Sequence, residues 1–178
     1  MKKKTIWDMG RVDLQAFKEQ KKMDVVVVLD NVRSLNNIGS IFRTADGFSA
    51  QGVVLCGISA VPPSPEIHKT ALGAEDSVDW EYFESTQAAV EQLRHRGYTI
   101  ACLEQVENSV ALEKLTVEPN RKYALVVGNE VEGVQQEIVD MADFCIEIPQ
   151  NGTKHSLNVS VSTAVALWEF FKVFISNK

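Results

Sequence analysis

The run Val25-Val26-Val27-Val28-Leu29 leaves a chain few folds to choose from. Consecutive β-branched residues favour an extended strand, and a strand with no polar alternation must be covered on both faces. A parallel sheet between two layers of helices provides that cover. Tyr123 to Val127 repeats the signal, and Gly52 to Gly57, Asp79 to Phe83, Tyr98 to Leu103 and Phe144 to Ile148 read as further strands. Helical spacing lies between them. It predicts helices over Asp13 to Lys22, from Ile38 through Ile41, Phe42 and Ala45 behind an asparagine N-cap, and over Ile67 to Leu72. Thr86 to Arg96 (ending at Gly97), Val134 to Met141 and Leu157 to Ile175 follow. Glu104 to Arg121 is an acidic, mixed excursion. Alternation of this kind predicts an α/β domain, a largely parallel sheet with helices on both faces, in one unit spanning 1–178.

The last helix is apolar on more than one side. Leu157, Val161, Val165 and Trp168 form one stripe, and Ala164, Leu167, Phe171 and Phe174 another. Packing on the chain's own sheet uses the first and leaves the second as surplus. Two readings stand: cover by a second subunit in a twofold dimer, or deep burial within a single chain.

With 45% hydrophobic and 24% charged residues, the composition is that of a soluble globular domain. No apolar run near a membrane span's length is read from the sequence, so no membrane partner is expected. The opening lysines have no apolar segment behind them, which argues against a secretory signal and for a cytoplasmic location. Cys56, Cys102 and Cys145 sit in separate β-like runs, odd in number and without metal-like spacing, and read as reduced core thiols. His68, His95 and His155 also lack metal spacing, so no metal is expected. The net charge of −6 argues against a nucleic-acid partner, but it is unevenly spread. Residues 1–22 carry seven Lys/Arg and three acids, the remainder eleven and twenty-one. That basic N-terminal segment either touches phosphates or is a solvated tail.

Several chemical signatures are missing. No Gly-x-Gly-x-x-Gly follows the first strand, and there is neither a Walker lysine nor a Gly-x-Ser-x-Gly elbow. What remains is a polar set at strand ends, where open α/β sheets hold ligands. Asn37 and Arg43 bracket the first turns of the helix after the first strand. Glu130 lies in a loop bracketed by Gly128 and Gly133. Ser156 and Asn158 open the last helix, after the loop that starts at Pro149. Each has an ordinary role available: Asn37 and Ser156 as N-caps, Asn158 as a first-turn residue, Glu130 as a loop acid, Arg43 as a surface cation. Their joint place at the ends of one sheet is what singles them out.

Three stretches carry a family likeness. Asn37-Ile38-Gly39-Ser40-Ile41-Phe42-Arg43-Thr44-Ala45-Asp46 is the first, and Leu125-Val126-Val127-Gly128-Asn129-Glu130-Val131-Glu132-Gly133-Val134 the second. The third is Ile148-Pro149, then Ser156-Leu157-Asn158-Val159-Ser160-Val161, running on to Trp168-Glu169. Their order and separation resemble the three motifs of the SpoU/TrmH-type RNA 2′-O-ribose methyltransferases of the SPOUT superfamily.

The resemblance implies a C-terminal trefoil knot within 123–178, which general topology rules would exclude. It also implies S-adenosylmethionine as cofactor and an obligate dimer. By match, the cofactor would meet backbone groups around Gly128, Ile148 and Leu157, with Leu103 at the adenine wall. The implied reaction is methyl transfer to a ribose 2′-hydroxyl of structured RNA, tRNA or rRNA. Arg43 would be the key catalytic residue, with Asn37, Glu130, Ser156 and Asn158 arranging it and the substrate. A guanidinium is a poor general base, so Arg43 is better cast as binding the adjoining phosphate and stabilising alkoxide charge. Arg33, Lys69, Lys154, His155 and the N-terminal lysines are RNA-phosphate candidates by charge and loop position, with solvated surface as the other reading. A non-catalytic RNA-binding protein on the same fold is the alternative function. It would need a damaged site, and all five polar positions are intact.

Overall fold

A computed structural model describes residues 1–5, 8, 10 and 12–177; Arg11 of the basic segment and Lys178 after the last helix lie outside them. In chain order the strands are β1 (Met23–Asp30), β2 (Ala50–Cys56), β3 (Trp80–Phe83), β4 (Tyr98–Leu103), β5 (Val110–Ala111), β6 (Lys122–Val127) and β7 (Phe144–Glu147). The helices are α1 (Leu14–Glu19), α2 (Leu35–Gly47), α3 (Pro65–Ala71), α4 (Ala74–Ser77), α5 (Thr86–His95), α6 (Gln136–Met141) and α7 (Val159–Ser176). A 3-10 turn, Leu112–Lys114, follows β5 inside the stretch read as an excursion.

The strands form one seven-stranded sheet in the order β3-β2-β1-β6-β4-β7-β5. Every pairing is parallel. Alternate residues of the apolar runs divide between two cores, which is why the runs had to be unbroken. Val25, Val27 and Leu29 of β1 join Leu125 and Val127 of β6 under α2 and α7. Val26 and Val28 join Ala124 and Val126 under α5 and α6, through Val90, Leu93 and Ile138. Cys56, Cys102 and Cys145 are free and buried in this second core. Burial pushes the Cys56 thiol up to about 12 and the Cys102 thiol higher still, so both stay protonated.

The boundary expectations need two corrections. Ser34, not an asparagine, caps α2, its side chain accepting the Asn37 N–H. The helix therefore starts at Leu35, and Asn37 sits in the first turn with its amide free to reach elsewhere. At α7 the cap is Asn158, whose Oδ1 accepts the Ser160 N–H at 2.9 Å. Ser156 and Leu157 thus stay in the preceding loop, and Ser156 caps nothing.

The stripes of α7 are also reassigned. Val159, Thr163, Ala166, Leu167 and Phe170 are the residues buried on the sheet. The stripe expected to pack there is the exposed one: Leu157, Val161, Val165 and Trp168 are 41%, 50%, 40% and 45% accessible. Phe171 and Phe174 of the other stripe are partly buried against the core. A helix apolar all round leaves the choice of face to the docking angle, and α2 sets that angle here. Asn158 meets Asn37 at one end of the pair, and Trp168 and Phe171 meet the Phe48 ring at the other, at 5.9 and 5.1 Å. By length and composition α7 could cross a bilayer, with 18 residues of mean hydropathy 1.4. That corrects the expectation that no such run exists. Its place is on the sheet, with Glu169 and Lys172 paired on its outer side.

One buried carboxylate ties the layers together at the C-terminal end of β1. Asp30 is fully buried and accepts hydrogen bonds from Thr86 Oγ1 at 2.6 Å, Asn31 Nδ2 at 3.0 Å, and the Gln135 backbone N–H and side-chain amide at 2.8 and 2.6 Å. It thereby fixes the starts of α5 and α6 against β1. Asp30→Ala strands these donors in a dry site, which is expected to cost about 3 kcal/mol. Urea unfolding checks this; a midpoint equal to wild type would mean the donors find other partners.

Candidate functional site

The site forms where the C-terminal ends of β6, β4 and β7 meet the start of α7. A cleft of about 470 Å³ opens there, between the loop after β6 and the loop that joins β7 to α7. Leu103, Gly128, Ile148 and Leu157, the residues expected around a cofactor, all line it. So do Glu130, Ser156 and Asn158.

The loop after β6 is a closed hairpin. Asn129 and Gly133 exchange backbone hydrogen bonds at 3.1 Å each way, and Asn129 Oδ1 accepts the N–H groups of Val131 and Glu132 at 2.8 Å. The hairpin folds back so tightly that a Cβ on Gly128 would overlap the backbone of Gly133 and Val134. Gly133 holds a φ of +71°, and a Cβ there would run into the Glu104 carboxylate. Leu103, Ile148 and Leu157 add apolar surface to this backbone-lined wall. A flat aromatic ring suits such a wall, with its edge read by main-chain groups.

Glu130 projects from the hairpin to the start of α2. Its carboxylate accepts the backbone N–H groups of Arg33 and Ser34 at 3.2 and 3.1 Å and the Asn37 amide at 2.8 Å. The Asn37 side-chain oxygen accepts in turn from Asn158 Nδ2 at 3.1 Å. Residues from all three stretches of the family likeness thus form one hydrogen-bonded chain along the rim of the cleft.

Burial alone would raise the Glu130 pKa. The hydrogen bonds from Asn37 and from the backbone of Arg33 and Ser34 outweigh it and hold the carboxyl below its ordinary 4.5. A carboxylate with both oxygens engaged anchors α2 and is a poor proton acceptor. Because the folded pKa is lowered, its stabilisation is present above the unfolded value near 4.5 and is lost as pH falls through the folded one. Glu130→Gln is therefore expected to melt below wild type at pH 6, with the gap closing toward pH 3. Melting curves at several pH values check this, and a gap that widens on acidification would contradict it.

Arg43 stands apart from this network. It lies six residues beyond Asn37, about 9 Å along the helix axis and about a third of a turn round. Its side chain is exposed, with no hydrogen bond or ion pair among the described residues. The chain therefore joins Asn37, Glu130 and Asn158 but leaves Arg43 outside their contacts. Ser156 lies exposed on the cleft wall.

The RNA candidates are scattered. Lys154 and His155 are exposed on the loop before α7, and the backbone N–H of Arg33 is held by Glu130 while its side chain is exposed. Lys69 on α3 lies 3.9 Å from Glu66, and its neighbour His68 pairs with Glu75 at 2.6 Å. Among the described residues no group of three or more His, Cys, Asp or Glu is placed to hold a metal ion. Among the wall residues that the sequence does not single out are Glu104 and Gln105, which line the cleft directly after β4. Their signal was a polar pair at the end of an apolar strand. Charge in the following stretch concealed it.

Known proteins share the sequence family and the fold. Residues 24–168 fit the SpoU rRNA Methylase family. A Staphylococcus aureus (strain MSSA476) protein assigned to the TrmH family of tRNA/rRNA methyltransferases is 29% identical over 159 residues, covering 89% of this chain and 63% of the relative. The chain thus spans just under two thirds of that relative's length. Among solved structures, the A. aeolicus TrmH/SpoU tRNA modifying enzyme superposes with a TM-score of 0.81 at 29% identity, covering 92% of this chain and 82% of its own. An AdoMet-bound rRNA methyltransferase from Sinorhizobium meliloti gives 0.79 at 26% identity, covering 88% and 59%. With the family matched from β1 well into α7 and the three stretches meeting at one cleft, the chain belongs to the SpoU rRNA Methylase family.

Proposed function

We propose that this chain transfers the methyl group of S-adenosylmethionine to a ribose 2′-hydroxyl of structured RNA, tRNA or rRNA. The observation that carries the reading is the chain Glu130–Asn37–Asn158 on the rim of a cleft walled by Leu103, Gly128, Ile148 and Leu157. The cleft volume lies within the range of about 300–1,000 Å³ usual for small-molecule sites. Bound there, S-adenosylmethionine would supply an electrophilic methyl on a sulfonium. Methyl transfer is an in-line displacement, so much of the acceleration comes from alignment. Asn37 and Asn158 hold the starts of α2 and α7 in register at the rim, and Glu130 anchors the first of them. Arg43, with its guanidinium uncommitted, is the group that would bind the adjoining RNA phosphate and stabilise charge developing on the 2′-oxygen.

The unit is read as a twofold dimer. Exposed Val161, Val165 and Trp168 on α7 form the apolar face that a second copy would cover, and Leu157 joins that face to the cleft. Light scattering should give about twice the 19.8 kDa chain mass; a monomer at micromolar concentration would remove this part. The implied knot belongs to the same reading. β7 lies between β4 and β5, so the chain leaving it sets out from within the sheet. Pulling the chain ends apart should leave a contour shortened by a tightened knot, and full extension would contradict it.

Calorimetry with S-adenosylmethionine and transfer of labelled methyl to total RNA test the function together. Binding with transfer is the expected result. Binding without transfer would favour the non-catalytic RNA-binding alternative, and failure to bind would overturn the cofactor assignment.

A further inference from the structure

The two loops that wall the cleft do not touch β4 in the same way. Glu104 continues the strand ladder, its N–H donating to the Ile146 carbonyl at 3.0 Å. Its carboxylate turns toward the hairpin after β6. One oxygen accepts the Val134 N–H at 2.9 Å and the other its neighbour's, Gln105 N–H, at 2.8 Å. Gly133 leaves room for that carboxylate, since a Cβ there would overlap it. Gln105 reaches the opposite way. Its Nε2 donates to the His155 carbonyl at 3.0 Å, on the loop between β7 and α7. Adjacent residues thus hold opposite walls: Glu104 the 128–134 hairpin, Gln105 the 149–157 loop.

We propose that Glu104 and Gln105 are positioning residues that clamp the two walls of the cleft at a fixed spacing before any ligand enters. The clamp acts on ligand affinity, and to that extent it rests on the reading of the cleft as the S-adenosylmethionine site. Physically, the 149–157 loop needs such a tether. Its residues are exposed throughout, and those from 149 to 157 contribute nothing to either core. Without a tether, ordering the loop would be charged to each binding event. Glu104 has the firmer hold on its wall, through a charge-assisted hydrogen bond from the Val134 N–H, while the Gln105 N–H steadies the carboxylate from behind. Gln105 is exposed, so replacing it leaves the core intact.

Amide nitrogen relaxation on the ligand-free protein tests the clamp, with Gln105→Ala and Gln105→Glu compared to wild type. The second variant keeps the side-chain length and loses the donor. In wild type the order parameters through 149–157 are expected to approach the rigid value of about 0.85, and in both variants to fall below about 0.6, with β4, β7 and the melting temperature unchanged. Calorimetry should show S-adenosylmethionine binding weakened by about fivefold in both, and at saturating cofactor the transfer rate should equal wild type. A role confined to stability would instead lower the melting temperature and leave the loop's order parameters as they are. Unchanged order parameters in 149–157 for both variants overturn the clamp. If wild type fails to bind S-adenosylmethionine, the cofactor assignment falls, and the relaxation result still decides the clamp.

Discussion

Replacing Arg43 by lysine is expected to lower methyl transfer by at least about 100-fold while leaving S-adenosylmethionine affinity within about twofold. The asymmetry follows from where the side chain stands. Arg43 is exposed, does not line the cleft and has no partner of its own among the described residues. Its loss should therefore cost neither stability nor cofactor contacts. Lysine keeps the positive charge but gives up the planar fork that can hold a phosphate with two parallel hydrogen bonds. If the guanidinium both grips the phosphate and steadies the developing alkoxide, charge alone will not restore the rate. Single-turnover transfer measured beside calorimetry separates the two effects. Turnover like wild type in Arg43→Lys would remove Arg43 from the chemistry.

The second large effect is expected at Gly128. A methyl there would collide with the backbone of Gly133 and Val134, neither of which can rotate out of the way as a side chain could. The hairpin must open or slide, and overpacking of this kind costs about 1–3 kcal/mol. Because the hairpin forms one wall of the cleft, that cost should surface as weaker cofactor binding, about 5- to 150-fold for Gly128→Ala. Gly152→Ala serves as the control, since a Cβ at that loop position meets nothing within 4 Å. Calorimetry on the pair decides the matter. Equal affinities would mean that the hairpin does not shape the binding site.

The layers of the fold could be read from the residues because they depend on local pattern. Unbroken runs such as Val25 to Leu29 mean a strand covered twice, whatever the rest of the chain does. Ile38, Ile41, Phe42 and Ala45 predicted their own burial in the same way. Caps were harder. Asn37 carries the right chemistry for an N-cap, but its amide is taken by Glu130 and Asn158, and Ser34 caps instead. Those competing contacts span 93 and 121 residues of sequence, and no local window contains them. The buried face of α7 is hidden from a local window for a related reason: an all-round apolar helix carries no stripe that outranks the others. Glu104 and Gln105 matter only because the sheet order sets β4 beside both β6 and β7, an adjacency that the sequence does not spell out.

The candidate site residues divide along the same line. Their kinds and order were legible, and so was their place at strand ends. The division of labour among them was not. Glu130 proves to be an anchor with both oxygens occupied, and Arg43 lies off the network it was expected to face.

The most direct test of ribose methylation is where the methyl group goes. Purified protein can be incubated with methyl-labelled S-adenosylmethionine and total RNA, and the RNA digested to nucleosides and separated. We expect the label in 2′-O-methylnucleosides, lost in Arg43→Lys. Label on a base, or none in RNA at all, would contradict it.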